Sequence, residues 1–155
     1  FPKAIEAYKN YLDEMKSSPD ISDLFLYGRL NYYAATDSAY QDKQPTYLAE
    51  ADTIFAQVAV KVPDNYLGNF WRARVNSLRD PETTQGLAKP YYEAALSILE
   101  QKPDATKSVL VECNSYLGYY YFVKEDYNQS KQYWNKILEI DPENETATKA
   151  LGGIK

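Results

Sequence analysis

Apolar residues recur at intervals of three and four along almost the whole chain. Ile5, Tyr8, Leu12 and Met15 show this spacing near the start, and aliphatic and aromatic residues repeat it over 48–62. The spacing is that of an α-helix that buries one face, because one turn takes about 3.6 residues. It predicts helices at 2–17, 21–37, 46–61, 65–78, 86–101, 105–123, 127–139 and 143–151.

Prolines separate these periodic segments. Pro19, Pro63, Pro103 and Pro142 are each followed directly by an aspartate or a glutamate. Proline cannot continue the preceding helix, and an acidic residue beside it favours the start of the next one. The aromatic run at 119–123 has high strand propensity, but it lies within good helical periodicity and is interpreted as helix. The sequence therefore predicts an all-α fold of paired helices.

A short motif recurs along the chain: a small residue, an aromatic four positions later, and a small or apolar residue three beyond that. The four sets are Ala4/Tyr8/Tyr11, Ala51/Phe55/Val58, Ala88/Tyr92/Ala95 and Ser130/Trp134/Ile137. Self-similarity at a period of several tens of residues is the signature of repeat proteins, in which each hairpin packs on its neighbours.

The last repeat is the clearest. It reads Leu117-Gly118-x-x-Tyr121 in one helix, followed by Ser130, Trp134 and a closing Pro142 in the next. This pattern resembles the tetratricopeptide repeat (TPR) family, whose consensus pairs Leu-Gly-x-x-Tyr with Ala-x-x-x-Phe and a closing proline. Small residues at positions 118 and 130 are expected to let the two helices approach closely. Earlier repeats depart further, with Tyr-Gly at 27–28 and Arg-Ala at 72–73 in place of Leu-Gly.

The resemblance implies a right-handed superhelical array of antiparallel helix hairpins, a TPR-like α-solenoid with about three full repeats and partial terminal helices. It predicts a single domain, 1–155. Its expected parts are the second helix of a truncated repeat at 1–20, repeats at 21–64, 65–104 and 105–142, and a terminal or capping helix at 143–155. Extra residues at 37–44 and 80–85 are interpreted as loops. The chain starts without methionine, so it is expected to be part of a longer, bacterial TPR protein.

In this family the first helix of each hairpin lines a concave groove that binds a peptide or a partner protein. The corresponding positions here are Phe25, Arg29, Tyr32, Phe70, Arg74, Ser77, Ser115, Tyr119 and Phe122. The resemblance thus implies a non-catalytic scaffold or adaptor with a protein or peptide partner. Two arginines among aromatics suit a peptide that carries a carboxylate. The alternative is that both arginines form salt bridges with neighbouring acidic residues.

Other polar and aromatic residues have both a structural and a functional interpretation. Asn31 and Asn76 occupy equivalent positions, where they could form an amide ladder or bind the backbone of a peptide, and the ladder is favoured. Trp71 has helical spacing from its apolar neighbours and is predicted to lie in the core. Cys113 lies on an apolar stripe and is predicted to be a packing residue.

Composition and charge restrict the classes of function. The formal net charge is −5 and no run of Lys or Arg occurs, so nucleic acid is not an expected partner. There is no histidine, no Gly-rich phosphate loop and no Cys cluster, so we predict no catalytic residue, no metal site, no cofactor and no enzymatic activity. Apolar runs are too short to cross a bilayer. The fragment is expected to be soluble without inserting into membranes, and cytoplasm and periplasm stay open.

Two further functions stay open. The chain contains 16 tyrosines, and tyrosine and tryptophan faces could bind a glycan or another small molecule if they are exposed. The first helix lacks a partner, so exposed terminal helices could also form a homodimer and make the chain a self-assembly module.

Overall fold

A computed structural model of the chain describes residues 1–15 and 19–154. Over these residues the secondary structure is helical and contains no strand. The α-helices are α1 (Pro2–Glu14), α2 (Ile21–Thr36), α3 (Gln44–Lys61), α4 (Leu67–Arg79), α5 (Lys89–Leu99), α6 (Lys107–Val123), α7 (Tyr127–Ile140) and α8 (Glu145–Gly153), and a 3-10 helix, Ser38–Lys43, lies between α2 and α3. The prediction of an all-α fold is confirmed.

Side chains at the predicted joints start several helices. The Asp20 carboxylate accepts a hydrogen bond from the Asp23 backbone N–H at 2.8 Å and caps α2. The Asn144 side chain accepts one from the Ala147 N–H at 3.0 Å and caps α8. Such caps satisfy N–H groups that have no partner within the helix. Capping therefore places helix starts just after Pro19 and Pro142.

Two differences from the predicted helices have a clear physical reason. The segment predicted as a loop at 37–44 contains the 3-10 helix Ser38–Lys43, which is too short to show an apolar period and is kinked at Tyr40. Helix α5 begins at Lys89 instead of 86, because Gly86 has a φ of +73°, outside the helical region. The predicted end of the first helix at 16–17 lies outside the described residues.

The chain consists of two compact units. The first, Phe1–Arg79, contains α1 to α4, and the second, Asp80–Lys155, contains α5 to α8. In each unit, helices that follow one another along the chain pack together, as in a chain of hairpins. The single domain and the repeat boundaries inferred from the sequence stay predictions.

The core of the first unit joins α2 and α3 and includes Leu24 and Val58. Helix α1 has no fully buried residue, but its apolar face packs against this core. The Tyr8 hydroxyl donates a hydrogen bond to Asp23 Oδ1 at 2.8 Å. Burial and this carboxylate raise the pKa of Tyr8 to about 12. The first helix is therefore attached by a partly buried apolar face and one charged hydrogen bond.

In the second unit, small residues bring α6 and α7 close together. The Ser130 hydroxyl donates to the carbonyl oxygen of Gly118 at 2.7 Å. A Cβ atom on Gly118 would lie 2.7 Å from Cε2 of Trp134, closer than side chains pack. The expected close approach at these two small residues is confirmed, and Trp134 fills the space over the glycine.

A buried aspartate organises the loop before α5. The Asp80 side chain is 3% exposed and accepts hydrogen bonds from the backbone N–H groups of Gln85, Gly86 and Leu87. Burial by itself raises the pKa of Asp80, but these bonds and that of the Thr84 hydroxyl hold it below the usual value. The segment interpreted as an inserted loop is thus ordered around a carboxylate.

Candidate functional site

Trp71 is the centre of an aromatic group in the first unit. Its ring stacks on Phe55, with ring centroids 5.5 Å apart and an angle of 27° between the planes. Phe25 and Tyr32 on α2 contact it edge-on at 5.9 and 5.2 Å. Trp71 is only 6% exposed. Its predicted place in the core is confirmed, and α2 and α4 are packed together around it.

Two predicted groove arginines lie over these rings. The guanidinium carbon of Arg29 is 5.5 Å from the centroids of both Trp71 and Tyr33. That of Arg74 is 4.6 Å from the Phe70 centroid and 5.0 Å from Trp71. A cation over an aromatic face gains about 0.5–2 kcal/mol. We call this group the arginine–aromatic cluster; its members are Phe25, Arg29, Tyr32, Tyr33, Phe70, Trp71 and Arg74.

Arg29 is held by rings rather than by carboxylates. Its Nη2 donates a long hydrogen bond of 3.3 Å to the Tyr33 hydroxyl, and its Nε is buried without a hydrogen-bond partner. Among the residues that the structure describes, Arg29 forms no salt bridge. The salt-bridge interpretation therefore fails for Arg29.

The two equivalent asparagines bond within their own helices. Asn31 Nδ2 donates to the Tyr27 carbonyl at 3.0 Å, and Asn76 Nδ2 donates to the Arg72 carbonyl at 2.9 Å. Asn76 also donates to Asp52, which forms a salt bridge with Arg72 at 3.1 Å. The predicted amide ladder is wrong, because the two amides bond to other groups and not to each other. Both residues are buried.

In the second unit, Tyr119 and Phe122 are 43% and 42% exposed. Together with Trp134, residues of α8 such as Ala150, and Ile154 just after that helix, they line an almost wholly apolar pocket of about 230 Å³. Helix α8 supplies the far wall, and it packs on the core through Ala147. The pocket can take one apolar side chain or a small apolar group.

The nine predicted groove residues separate into three sets. Phe25, Arg29, Tyr32, Phe70 and Arg74 meet in the arginine–aromatic cluster. Tyr119 and Phe122 line the apolar pocket of the second unit. The third set, Ser77 and Ser115, lies in neither the cluster nor that pocket. The Ser77 hydroxyl is buried and has no hydrogen-bond partner within the described ranges.

The predicted groove set lacks several residues of these sites, among them Tyr33 and Ile154. Tyr33 lies four residues after Arg29, a spacing that places two side chains on one helix face, so this contact was detectable. Ile154 follows the last helix, and nothing in the repeat pattern indicates that it lines a pocket. No three His, Cys, Asp or Glu side chains are grouped to hold a metal ion in the part of the chain that the structure covers. No described helix is long and apolar enough to span a bilayer.

No protein-family model and no curated protein matches the chain. Among solved structures, it is similar to the C-terminal part of a TPR repeat-containing protein from Cytophaga hutchinsonii, with 33% sequence identity and a TM-score of 0.82. The match covers 97% of this chain and 53% of that chain, so the present chain spans about half of the solved one. The resemblance read from Leu117, Gly118 and Tyr121 is thus confirmed at the level of the fold. The chain is a TPR-like helical-repeat protein.

Proposed function

We propose that the chain is a non-catalytic scaffold that binds a peptide or a partner protein through the first helices of its hairpins. The TPR-like fold supports the general statement, because such repeats serve as surfaces for protein interaction rather than as catalytic sites. We further propose which residues bind the partner. They are the arginine–aromatic cluster in the first unit, and Tyr119 and Phe122 in the second.

The position of Arg29 is the observation that carries this proposal. Its guanidinium is fixed over aromatic rings and forms no salt bridge within the described residues. A guanidinium held in place loses little side-chain entropy when it binds, and its planar fork matches a carboxylate. We infer that the partner carries an acidic side chain or a terminal carboxylate.

A peptide array tests this proposal. Peptides of random sequence, and the same peptides with Asp and Glu replaced by Asn and Gln, are probed with the labelled chain. We expect acidic peptides to be selected and their affinity to fall as the salt concentration rises. The Arg29→Gln/Arg74→Gln variant should bind them at least about tenfold more weakly, since a hydrogen bond to a charged group contributes about 1.5–3 kcal/mol.

The control variant is Lys3→Gln/Lys9→Gln. It removes two positive charges from exposed positions on α1 in the same unit, outside the cluster. If both double variants lose the same affinity for acidic peptides, the change in net charge explains the loss and the cluster does not. Selection of peptides without acidic residues, at an affinity that the Arg29 and Arg74 substitutions leave unchanged, would contradict the proposed site.

The alternative functions depend on other exposed aromatics. Trp71 and Trp134 are each 6% exposed, so a glycan would have to stack on tyrosines such as Tyr11 or Tyr119. Self-assembly through the first helix would use Phe1 and Tyr11, which are 45% and 48% exposed. Glycan binding in the same array format supports the first alternative, and dimerisation that increases with concentration supports the second.

A further inference from the structure

Three exposed aromatic side chains lie close together in the second unit. Tyr119 and Phe122 on α6 share the apolar pocket, and Tyr127, which is 41% exposed, is the first residue of α7. The ring centroids of Phe122 and Tyr127 are 5.8 Å apart. Single exposed apolar side chains are ordinary on a protein, but a group of them marks a surface for interaction. This aromatic surface is therefore a place where a partner can bury apolar side chains.

Two pockets adjoin on this surface. One is the apolar pocket described above. The other, which we call the Tyr127 pocket, has a volume of about 320 Å³ and is lined by Phe122, Tyr127, Gly153 and Ile154. Because Phe122, Gly153 and Ile154 also line the apolar pocket, the two pockets lie side by side. A ligand that fills both has to present two apolar groups next to each other.

An extended peptide presents apolar groups in this way. Its side chains alternate between two sides, so residues i and i+2 lie on the same side, about 6–7 Å apart. The walls of both pockets are mainly apolar. A polar group of the ligand would lose its hydrogen bonds to water there without gaining others. Large apolar residues such as leucine or phenylalanine are therefore expected at both positions of the peptide.

Charge at the pockets favours an acidic ligand. Among the described residues that line the two pockets, Lys149 is the one with a charged side chain. Its Nζ forms a salt bridge of 3.1 Å with Glu145 Oε2, one turn back on α8. These two side chains are 77% and 83% exposed, and exposed pairs of this kind contribute little to stability. The lysine can therefore exchange this carboxylate for a carboxylate of the ligand.

We propose that the two pockets bind an extended peptide segment of the partner that has large apolar residues at positions i and i+2 and an acidic residue beside them. One apolar side chain fills the apolar pocket, the other fills the Tyr127 pocket, and the carboxylate pairs with Lys149. This inference rests on the proposed function, because it states which peptide chemistry Tyr119 and Phe122 recognise.

Short peptides test the proposal. The probe is Asp-Leu-Ser-Leu-Asp with both ends blocked, and two comparison peptides replace either both leucines by serine or both aspartates by asparagine. Binding is followed by the chemical shifts of backbone amides in the ¹⁵N-labelled chain. We expect saturable shifts at the two pockets, an affinity at least about tenfold lower for the serine peptide, and one about threefold lower for the asparagine peptide. Because the formal net charge of the chain is −5, a general charge effect would instead favour the asparagine peptide.

Gly153→Phe and Gly152→Phe are a matched pair of variants. Both glycines are exposed in α8, and a Cβ on either would meet no atom within 4 Å apart from its chain neighbours and the adjacent backbone of its own helix. A larger side chain therefore starts without a clash at both positions. Of these two described residues, Gly153 lines both pockets and Gly152 lines neither. Gly153→Phe should lower the affinity for the probe at least about tenfold, since it occupies space that one leucine needs, and Gly152→Phe should leave the affinity unchanged.

Substitution of Lys149 tests the carboxylate contact. Lys149→Gln should bind the aspartate and asparagine peptides equally, whereas Lys149→Arg retains the positive charge and should retain the preference for aspartate. A preference for aspartate that persists in Lys149→Gln would contradict the assignment of the carboxylate to this lysine.

Several results would overturn the proposal. They are the absence of saturable shifts with the probe, equal affinities for the leucine and serine peptides, and equal effects of Gly153→Phe and Gly152→Phe. Shifts at the pockets that change with the concentration of the free chain would show that a second copy occupies them instead. The Arg29→Gln/Arg74→Gln variant retains both pockets and should bind the probe as the native chain does. The selection of acidic peptides by those arginines and the binding of this probe can therefore fail separately.

Discussion

Glycine serves different purposes at different positions of this chain. At Gly118 the missing side chain makes room for Trp134, whose ring atoms lie where a Cβ would be. At Gly28 the same role is visible toward Phe55, with a Cβ-to-ring distance of 2.7 Å. At Gly152, in α8, a Cβ would meet no atom within 4 Å apart from its chain neighbours and the adjacent backbone of its own helix. The first two glycines are therefore required by packing, whereas the third only weakens its helix.

The substitution Gly118→Ala should destabilise the chain, whereas Gly152→Ala should not. Alanine favours a helix over glycine by about 1 kcal/mol, and at position 152, near the helix end, part of that gain should remain. At position 118 the new methyl forces Trp134 to move, and overpacking of a core costs about 1–3 kcal/mol. We expect the midpoint of urea unfolding to fall for Gly118→Ala and to stay equal or rise for Gly152→Ala. A more stable Gly118→Ala variant would show that Trp134 can move away from the new methyl group without a loss of stability.

Single residues also show the limits of sequence reasoning. The spacing of Trp71, a local property of one helix, correctly predicts its place in the core. The equivalent repeat positions of Asn31 and Asn76 suggest a ladder, yet each side chain bonds a carbonyl of its own helix. The environment of Arg29 depends on which rings α4 brings to α2, and that choice is made by tertiary packing. Spacing within one helix therefore predicts burial, but it does not predict the partner of a polar group.

At the scale of elements, the loop before α5 has an irregular backbone that several hydrogen bonds hold in place. Thr83 adopts a φ of 56° and Gly86 one of +73°, both in the left-handed region. Lys124 Nζ donates to the Thr84 carbonyl at 2.8 Å. The Asp80 carboxylate accepts hydrogen bonds from three backbone N–H groups of this loop, which fixes the path of the chain before α5. A sequence interpreted as an insertion is thus a fixed connection that starts α5.

The substitution Asp80→Asn should destabilise the chain in a manner that depends on pH. A neutral amide accepts these hydrogen bonds more weakly than a carboxylate, and bonds to charged groups contribute about 1.5–3 kcal/mol. Because the pKa of Asp80 is lowered in the folded state, its stabilising contribution is fully present above the unfolded-state pKa of about 4. It is lost as the pH falls through the lower folded-state pKa.

Urea unfolding of the native chain and of Asp80→Asn at pH 7, 5 and 3 measures this contribution. The difference in unfolding free energy should be similar at pH 7 and 5 and smaller at pH 3. Asp104→Asn is the control, because Asp104 is an exposed loop residue of the same unit, and it should have little effect at any pH. A difference between the native chain and Asp80→Asn that grows toward pH 3 would contradict the inferred direction of the pKa shift.

At the scale of the whole chain, the sequence predicted the architecture better than the site. Apolar spacing located the eight α-helices found in residues 1–15 and 19–154, because an apolar face over several turns leaves a long periodic signal. It missed the 3-10 helix, Ser38–Lys43, since six residues are too few to show a period. The apolar pocket beside Tyr119 depends on where α8 packs against α7, and no repeat motif records that contact. Apolar periodicity therefore predicts the helices of the fold. It does not predict the sites, because these depend on contacts between helices.

Within each unit, helices pack on the helices next to them along the chain. The destabilising effect of a core substitution should therefore be confined mainly to nearby helices. Ile54 in α3 and Ile137 in α7 are both buried core residues, one in each unit. Isoleucine-to-valine substitution in a core costs about 0.5–1.5 kcal/mol. We expect Ile137→Val to lower the hydrogen-exchange protection of α6 to α8 and Ile54→Val to lower that of α2 and α3, each with a smaller effect in the other unit. The two variants carry the same chemical change and serve as controls for each other. Equal loss of protection in all helices from either substitution would show that the chain unfolds as one cooperative body, and the repeat-like division of stability would be wrong.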